Sequence, residues 1–234
     1  MSTDPRELII YGAGGFGREI ASMCDSGNTG TSGCYGGPGQ PPWKPVAFVD
    51  DTPGYPGQTF YGVPCLGHFA EIAPTRAGAE TWCFIAVGDN EGRMQAAKRA
   101  REAGWKMATV VHSTAYFGRD AELGEGCFFG PFITISPNVR IGRHVLINTR
   151  ASVGHHVFLG DFAQVSLNAS VLGRARVEKG AMIGAHAVVM SDITVGAWAT
   201  VAVGTPVLRP VKAGHTVCLP LAHTIFERKV LPEE

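Results

Sequence analysis

The chain has little of what most nucleic-acid, membrane or metal proteins show. Its 20 basic and 20 acidic residues cancel, and no basic block interrupts the balance. That pattern argues against DNA or RNA as a partner. The longest uninterrupted apolar run, Trp82 to Val87, is far too short to span a bilayer. The opening residues, MSTDPRELIIYGAGG, lack the basic segment, apolar core and cleavage site of a leader, so a cytoplasmic protein is expected. Six cysteines are present, but none forms a CxxC pair, so a zinc knuckle is excluded and reduced thiols are the default. Glycine, by contrast, is abundant at 31 residues, and that demands an architectural explanation.

Two patterns divide the chain. Through residue 112, short apolar runs alternate with helical stretches. ELIIY, PVAFVD, TWCFIAV and MATVV read as strands, and Phe16 to Cys24 as a helix. A second helix is expected over GRMQAAKRAREAG, capped by Asn90 and stopped at Gly104. Strand–helix alternation predicts a parallel sheet with crossover helices, a Rossmann-like α/β unit over residues 1–112. The Gly/Pro/Ser-rich stretch DSGNTGTSGCYGGPGQPPWK reads as a surface loop.

From Phe117 the period changes to six. Every sixth residue from Phe117 through Leu123, Phe129 and Ile135 to Val201 is large and apolar. The residues four places later, from Ala121 to Thr205, are small or β-branched, with Thr205 the only polar one. Glycine often follows the first position, as at Gly118, Gly124, Gly142, Gly154 and Gly184. A helix with 3.6 residues per turn cannot hold that repeat on one face, and no single strand is so long. A hexapeptide-repeat parallel β-helix can, with three hexads per coil and about five coils over residues 113–212. Glycine is expected to ease its corners. Residues 213–234 form a tail.

These hexads, with YGAGGFGRE, FVDD, AVGDN and NTRASVGHHVFLGDF, resemble the left-handed β-helix sugar acyltransferases. That group is typified by UDP-amino-sugar N-acetyltransferases and sialic-acid O-acetyltransferases. The resemblance implies a homotrimer, acetyl-CoA as co-substrate between neighbouring subunits, and a nucleotide-sugar held by the first domain. It places Gly14, Gly15, Asp50, Asp51 and the Gly88-Asp89-Asn90 turn around the nucleotide-sugar, and Asn148 against the acceptor sugar. On the residues alone, Gly12-Ala13-Gly14-Gly15-Phe16-Gly17 permits close backbone approach to an anion at a helix N-terminus. Four strand signals are too few for a full dinucleotide fold, which favours one nucleotide-sugar over NAD. Asp89 and Asn90 read equally well as a helix cap.

His155 is the candidate general base. Acyl transfer to an amine needs that amine's proton removed, and imidazole changes charge near neutral pH. As third residue of its hexad, His155 should sit at a corner, with Gly173 one coil later leaving open space and an N–H for an oxyanion. By itself it reads more readily as a solvated corner histidine; the resemblance assigns it the base. Where the family commonly has Asp or Glu after that histidine, this chain has His156, so Asp161 or a neighbouring subunit's acid becomes the candidate partner. Gln164 stands where some relatives have a second histidine. Arg150, Asn168 and His186 are spaced to stack. The tail has Cys218-Leu219-Pro220-Leu221-Ala222 in place of a Gly-x-Pro-Ala turn.

The function this implies is N-acetylation of a nucleotide-linked amino sugar from acetyl-CoA, without a covalent acyl-enzyme. The alternatives are sugar O-acetylation and a non-catalytic nucleotide-binding scaffold. A zinc carbonic anhydrase on the same helix would need three converging histidines, and His144, His155, His156 and His186 are wrongly spaced for it, so no metal is expected.

Overall fold

The computed structural model describes residues 4–25, 33–37, 40–76 and 80–220. The first unit is built on a four-stranded parallel sheet. Its strands are β1 (Arg6–Tyr11), β3 (Trp43–Val49), β6 (Trp82–Ile85) and β7 (Lys106–Met107), in the order β3-β1-β6-β7. Helices α1 (Gly15–Cys24) and α3 (Asn90–Glu102) pack on it, with a short α2 (Phe69–Thr75) and a hairpin of β4 (Thr59–Phe60) and β5 (Val63–Pro64). Strands buried on both faces read as continuous apolar runs. Accordingly Leu8, Ile10, Phe48 and Phe84 sit in one core layer, and Ile9, Tyr11, Val49 and Ile85 in the other.

The MATVV run does not form one strand. Met107 ends β7 in the first sheet, whereas Val110 starts β8 (Val110–His112), the first strand of the solenoid. The α3 cap also differs from expectation. Asp89, not Asn90, occupies the N-cap and accepts from Gly92 N at 2.7 Å, while Asn90 is the first helical residue. Glu91 lies in the first turn and Arg99 and Arg101 in the last, each sign complementing the helix dipole.

The second unit is a left-handed parallel β-helix with three faces. Two-residue strands recur every six residues and pair with strands 18 residues away, as Phe128↔Leu146, Ser152↔Ser170 and Phe158↔Arg176 show. Face one runs from β8 through Phe128–Phe129, Leu146–Ile147 and onward to Thr216–Val217. Face two runs from Tyr116–Phe117 to Pro206–Val207, and face three from Glu122–Leu123 to Thr194–Val195. The coil makes about six turns rather than five, because it starts at Val110 and its last strand is Thr216–Val217. Its strands thus extend beyond residues 113–212 at both ends. At the first rung, β2 (Cys34–Tyr35) pairs antiparallel with β8 and covers an otherwise open sheet edge. This places part of the Gly/Pro stretch in regular structure; residues 26–32 and 38–39 of that stretch lie outside the described residues, as do Leu221 and Ala222 of the tail motif.

The large residues of the hexads fill the axis. Phe129, Ile135, Ile141, Ile147, Val153, Leu159 and their successors are buried in one continuous cluster with Ala151, Ala163, Ala175 and Ala187 beside them. Each large side chain so placed stabilises the coil by roughly 1.5–3 kcal/mol relative to exposure. Thr205 joins this core as predicted by its register, with its hydroxyl buried and unpartnered.

The corners correct the expected role of glycine. The left-handed backbone conformation falls three residues after each large apolar position, at residues such as Phe132, Asn138, His144, His156, Phe162 and Arg174, with φ between 56 and 62°. Most of these are not glycine. The glycines lie two residues earlier and answer a different need: a Cβ on Gly154 would stand 2.6 Å from Gly173 N, and one on Gly160 2.5 Å from Lys179 N. They let the next coil pass close by, rather than letting the chain turn.

Candidate active site

Three corner columns run along the solenoid, and the histidines are divided among them. The corner from face three to face one carries His144, Phe162 and Gly180. The corner from face one to face two carries Arg150, Asn168 and His186, and the corner from face two to face three carries His156 and Arg174, with His155 adjoining. Among the described residues, no group of three His, Cys, Asp or Glu side chains could hold a metal ion.

The first domain is locked to the first of these corners. Arg93, on α3, is wholly buried. Its guanidinium donates to His144 O (3.1 Å), Phe162 O (2.8 Å), Val87 O (3.1 Å), Gly88 O (3.2 Å) and Asn90 Oδ1 (2.8 Å). Asn90 Nδ2 donates to Gly180 O at 3.0 Å. Burial pushes Arg93 down to about 10, which still leaves it charged at neutral pH. Five acceptors compensate a charge that would otherwise be costly to bury. Phe128 and Leu146 of face one pack into the first domain's core beside this joint. His144 stacks on Phe162 with ring centroids 4.9 Å apart. Burial, then the charges of Arg101, Arg93 and Arg143, push it down to about 3, so it is neutral.

Of the residues expected around a nucleotide-sugar, five meet at the carboxyl edge of the first sheet. Gly14 and Gly15 follow β1, Asp50 and Asp51 follow β3, and Gly88 follows β6, on three adjacent strands. Crevices outside the carboxyl ends of parallel strands are where such sheets bind ligands. A Cβ on Gly14, Gly15 or Gly88 would meet nothing within 4 Å, so this edge is open. Gly14 caps α1 without any side-chain bond, and no acidic residue sits in the first turn. Gly17 is demanded by packing: its Cβ would lie 1.8 Å from Gly12 O.

The two aspartates are occupied. Asp50 accepts from Ala13 N (2.5 Å) and Thr52 N (2.7 Å), tying the glycine loop to the end of β3. Asp51 accepts from Tyr11 Oη (2.7 Å) and Phe69 N (2.8 Å) and pairs with Arg99 at 3.0 Å. Burial raises the Asp51 carboxyl, but those hydrogen bonds and Arg99 outweigh it and hold it below the usual range. Asp89 and Asn90 likewise have their side chains engaged, one in the helix cap and one in the domain joint. The cap reading of the sequence holds for Asp89, whereas Asn90 serves the joint. Arg18 was not singled out by sequence; it donates to Ala13 O at 2.8 Å and lies 3.7 Å from the centre of the Phe60 ring, beside the open glycines.

His155 is exposed, as a corner position predicts. Gly173, one coil on, does not leave an empty slot. A Cβ there would stand 2.7 Å from both Cε1 and Nε2 of His155, so the ring itself fills that space. The other ring nitrogen, Nδ1, lies 3.1 Å from Nδ1 of His156, with the two planes at 84°. Asp161 is not its partner. That carboxylate accepts from Arg143 N, Nε and a terminal nitrogen at 2.8, 3.3 and 2.9 Å, at the corner occupied by the domain joint. Asn148 lies near the corner of Asn168 and His186, its amide 3.5 Å from Val165 O. Asn168 Nδ2 and His186 Nε2 are 3.4 Å apart, as their spacing of 18 predicts. Beyond His156, a cavity of about 420 Å³ opens on face three against Arg140, Phe158 and Arg176.

Residues 7–100 match the PglD N-terminal domain. None of the curated proteins matches the chain in sequence. Solved structures match nearly all of it. WeeI from Acinetobacter baumannii AYE is 25% identical with a TM-score of 0.76, over 90% of this chain and 96% of that one. A histidine-to-asparagine mutant of perosamine N-acetyltransferase from Caulobacter crescentus, in complex with CoA and GDP-perosamine, is 25% identical with a TM-score of 0.78, over 92% and 95%. The acetyltransferase domain of PglB from Neisseria gonorrhoeae FA1090, in complex with acetyl coenzyme A, is 24% identical with a TM-score of 0.77, over 91% and 96%. Residues 7–100, which match the PglD N-terminal domain, are thus joined to a left-handed parallel β-helix, the arrangement of the solved perosamine N-acetyltransferase that the chain resembles, and the chain is an acyltransferase.

Proposed function

We propose that the chain transfers the acetyl group of acetyl-CoA to the amine of a nucleotide-linked amino sugar, with His155 as general base. The observation that carries this reading is the placement of His155: exposed, at a corner clear of the domain joint, with its Nε2 edge over Gly173. The solved relative holding CoA and GDP-perosamine, and the one holding acetyl coenzyme A, support the substrate classes.

His155 Nε2 takes the proton that the sugar amine loses as its N–C bond forms. The Gly173 N–H is the donor proposed for the oxyanion, a role in which removing one such donor typically costs 10²–10³ in rate, about 3–4 kcal/mol. As the thioester C–S bond breaks, the proton passes from His155 to the departing thiolate. No acyl-enzyme is required, since an amine attacks the thioester directly. Gly14, Gly15 and Gly88 form the open edge for the nucleotide-sugar, with Asp50 and Asp51 shaping it through the bonds they already make. Asn148 is assigned to the acceptor sugar from a neighbouring chain.

The same reading includes a homotrimer, and the separation of two corners within one chain supports an assembly of several. The first domain is fastened at the corner of His144 and Phe162, while His155 stands at another. Bringing a domain-bound sugar to an imidazole is then the task of a neighbouring subunit.

The test is a panel of UDP-, GDP- and dTDP-linked 4-amino sugars incubated with acetyl-CoA. A product heavier by one acetyl group is expected from at least one. Acetylation confined to hydroxyl sugars would replace the N-acetyl reading with O-acetylation, and no transfer to any sugar would favour a binding scaffold.

A further inference from the structure

The histidine at position 156 raises a problem of proton placement that the structure answers. A base that works through Nε2 must carry its own proton on Nδ1, and that proton needs an acceptor. In this chain no carboxylate is hydrogen-bonded to His155 among the described residues: Asp161 is committed to Arg143, and Asp192 to Arg174 through two bonds of 2.7 Å. The group in contact with His155 Nδ1 is His156 Nδ1.

Resting on the reading of His155 as base, we propose that His156 is a positioning residue whose neutral ring accepts the Nδ1 proton of His155 and so keeps Nε2 unprotonated. Three features carry this. The two Nδ1 atoms are 3.1 Å apart, a hydrogen-bond contact whose donor and acceptor are set by the tautomers of the two rings. The Cε1–Nε2 edge of His155 lies nearest Gly173, 2.7 Å from where a Cβ would stand, with Nδ1 at 3.2 Å. The backbone of His156 is held at φ 59° by its N–H bond to Pro137 O at 3.2 Å, so its ring is presented from a rigid turn. An imidazole in this role differs from a carboxylate, because it can itself be protonated. A protonated His156 becomes a donor and hands His155 the wrong tautomer, with its proton on Nε2.

Arg174, next along the column, is paired with Asp192 and holds its carboxyl below the usual range. On the cavity side of His156, Arg140 pairs with Glu122 at 3.5 Å and Arg176 with Glu178 at 3.2 Å.

The experiment compares wild type with His156→Leu, His156→Gln and His156→Glu. The column accepts bulky residues in this conformation, as Phe132 and Trp198 show in theirs, so thermal melts should coincide. Gln and Glu keep an acceptor and should retain most of the acetyl-transfer kcat, while Leu should lose about tenfold or more, the scale of an orienting partner. On the acid side, log(kcat/KM) against pH should approach a limiting slope of 2 in wild type and 1 in His156→Gln, since only the wild type has a second imidazole to protonate. Imidazole ¹⁵N shifts give a readout independent of turnover: Nδ1–H on His155 in wild type, lost in His156→Leu. Equal rates in Leu and wild type, equal losses in Leu and Gln, or an unchanged His155 tautomer would overturn the proposal. A wild type that transfers no acetyl while the ¹⁵N pattern holds would sink the acetyltransferase reading and leave the pairing standing.

Discussion

His144 and His155 sit in the same kind of coil, yet the fold puts them to opposite uses. Each ring lies against a glycine one coil away, Gly126 for His144 and Gly173 for His155. The first domain covers one corner and leaves the other bare. At the covered corner, burial and three arginines hold His144 neutral, and its carbonyl becomes an acceptor for Arg93. At the bare corner, His155 is exposed and its Nδ1 contacts that of His156. What separates the two corners in this molecule is therefore where α3 docks, rather than the local sequence of the corner.

The comparison can be broken from the joint side. Arg93→Met removes the only guanidinium serving five acceptors there and leaves buried carbonyls unpaired. A stability loss of roughly 3–5 kcal/mol is expected, with early loosening of the two domains. Denaturant unfolding measures it, and a variant as stable as wild type would mean that the apolar contacts of Phe128 and Leu146 hold the joint alone.

A smaller effect should appear in the pH dependence of stability. The folded His144 is pushed down to about 3, against an ordinary value near 6.5 in the unfolded chain. Between those values the unfolded chain binds the extra proton, so stability present above pH 6.5 is lost as pH falls toward 3. The slope approaches about 1.4 kcal/mol per pH unit for one group. His144→Phe, which keeps the stack on Phe162, should flatten that slope. Melting temperatures between pH 4 and 7 check it, and identical slopes would show that the ring does not stay neutral on folding.

The solenoid was legible in the sequence because its period is dictated by an axis that every coil must fill. The register of Phe129, Ile135 and Thr205 follows directly. The role of glycine was misread there, because repetition reveals that a position must be small without saying whether conformation or clearance demands it. The joint was not legible. Arg93 reads as one more cation in GRMQAAKRARE, although its spacing from Asn90, Ala96, Ala97 and Ala100 places it on the buried stripe. A lone arginine on a stripe of alanines was the available clue. The strand MATVV was split for a reason beyond local pattern: its halves serve different sheets, β7 in the first domain and β8 in the coil. At the bare corner, the sequence located His155 and Gly173 but could not show that the ring occupies the glycine's space, nor which nitrogen meets His156.

The most direct measurement is the acetyl-transfer rate of His155→Ala on the amino sugar that the panel identifies, taken alongside its melting temperature. The account predicts a kcat lower by about 10² or more with unchanged melting, since the ring is exposed and lies outside the buried core. A near-wild-type rate in a folded variant would contradict it and move the base elsewhere.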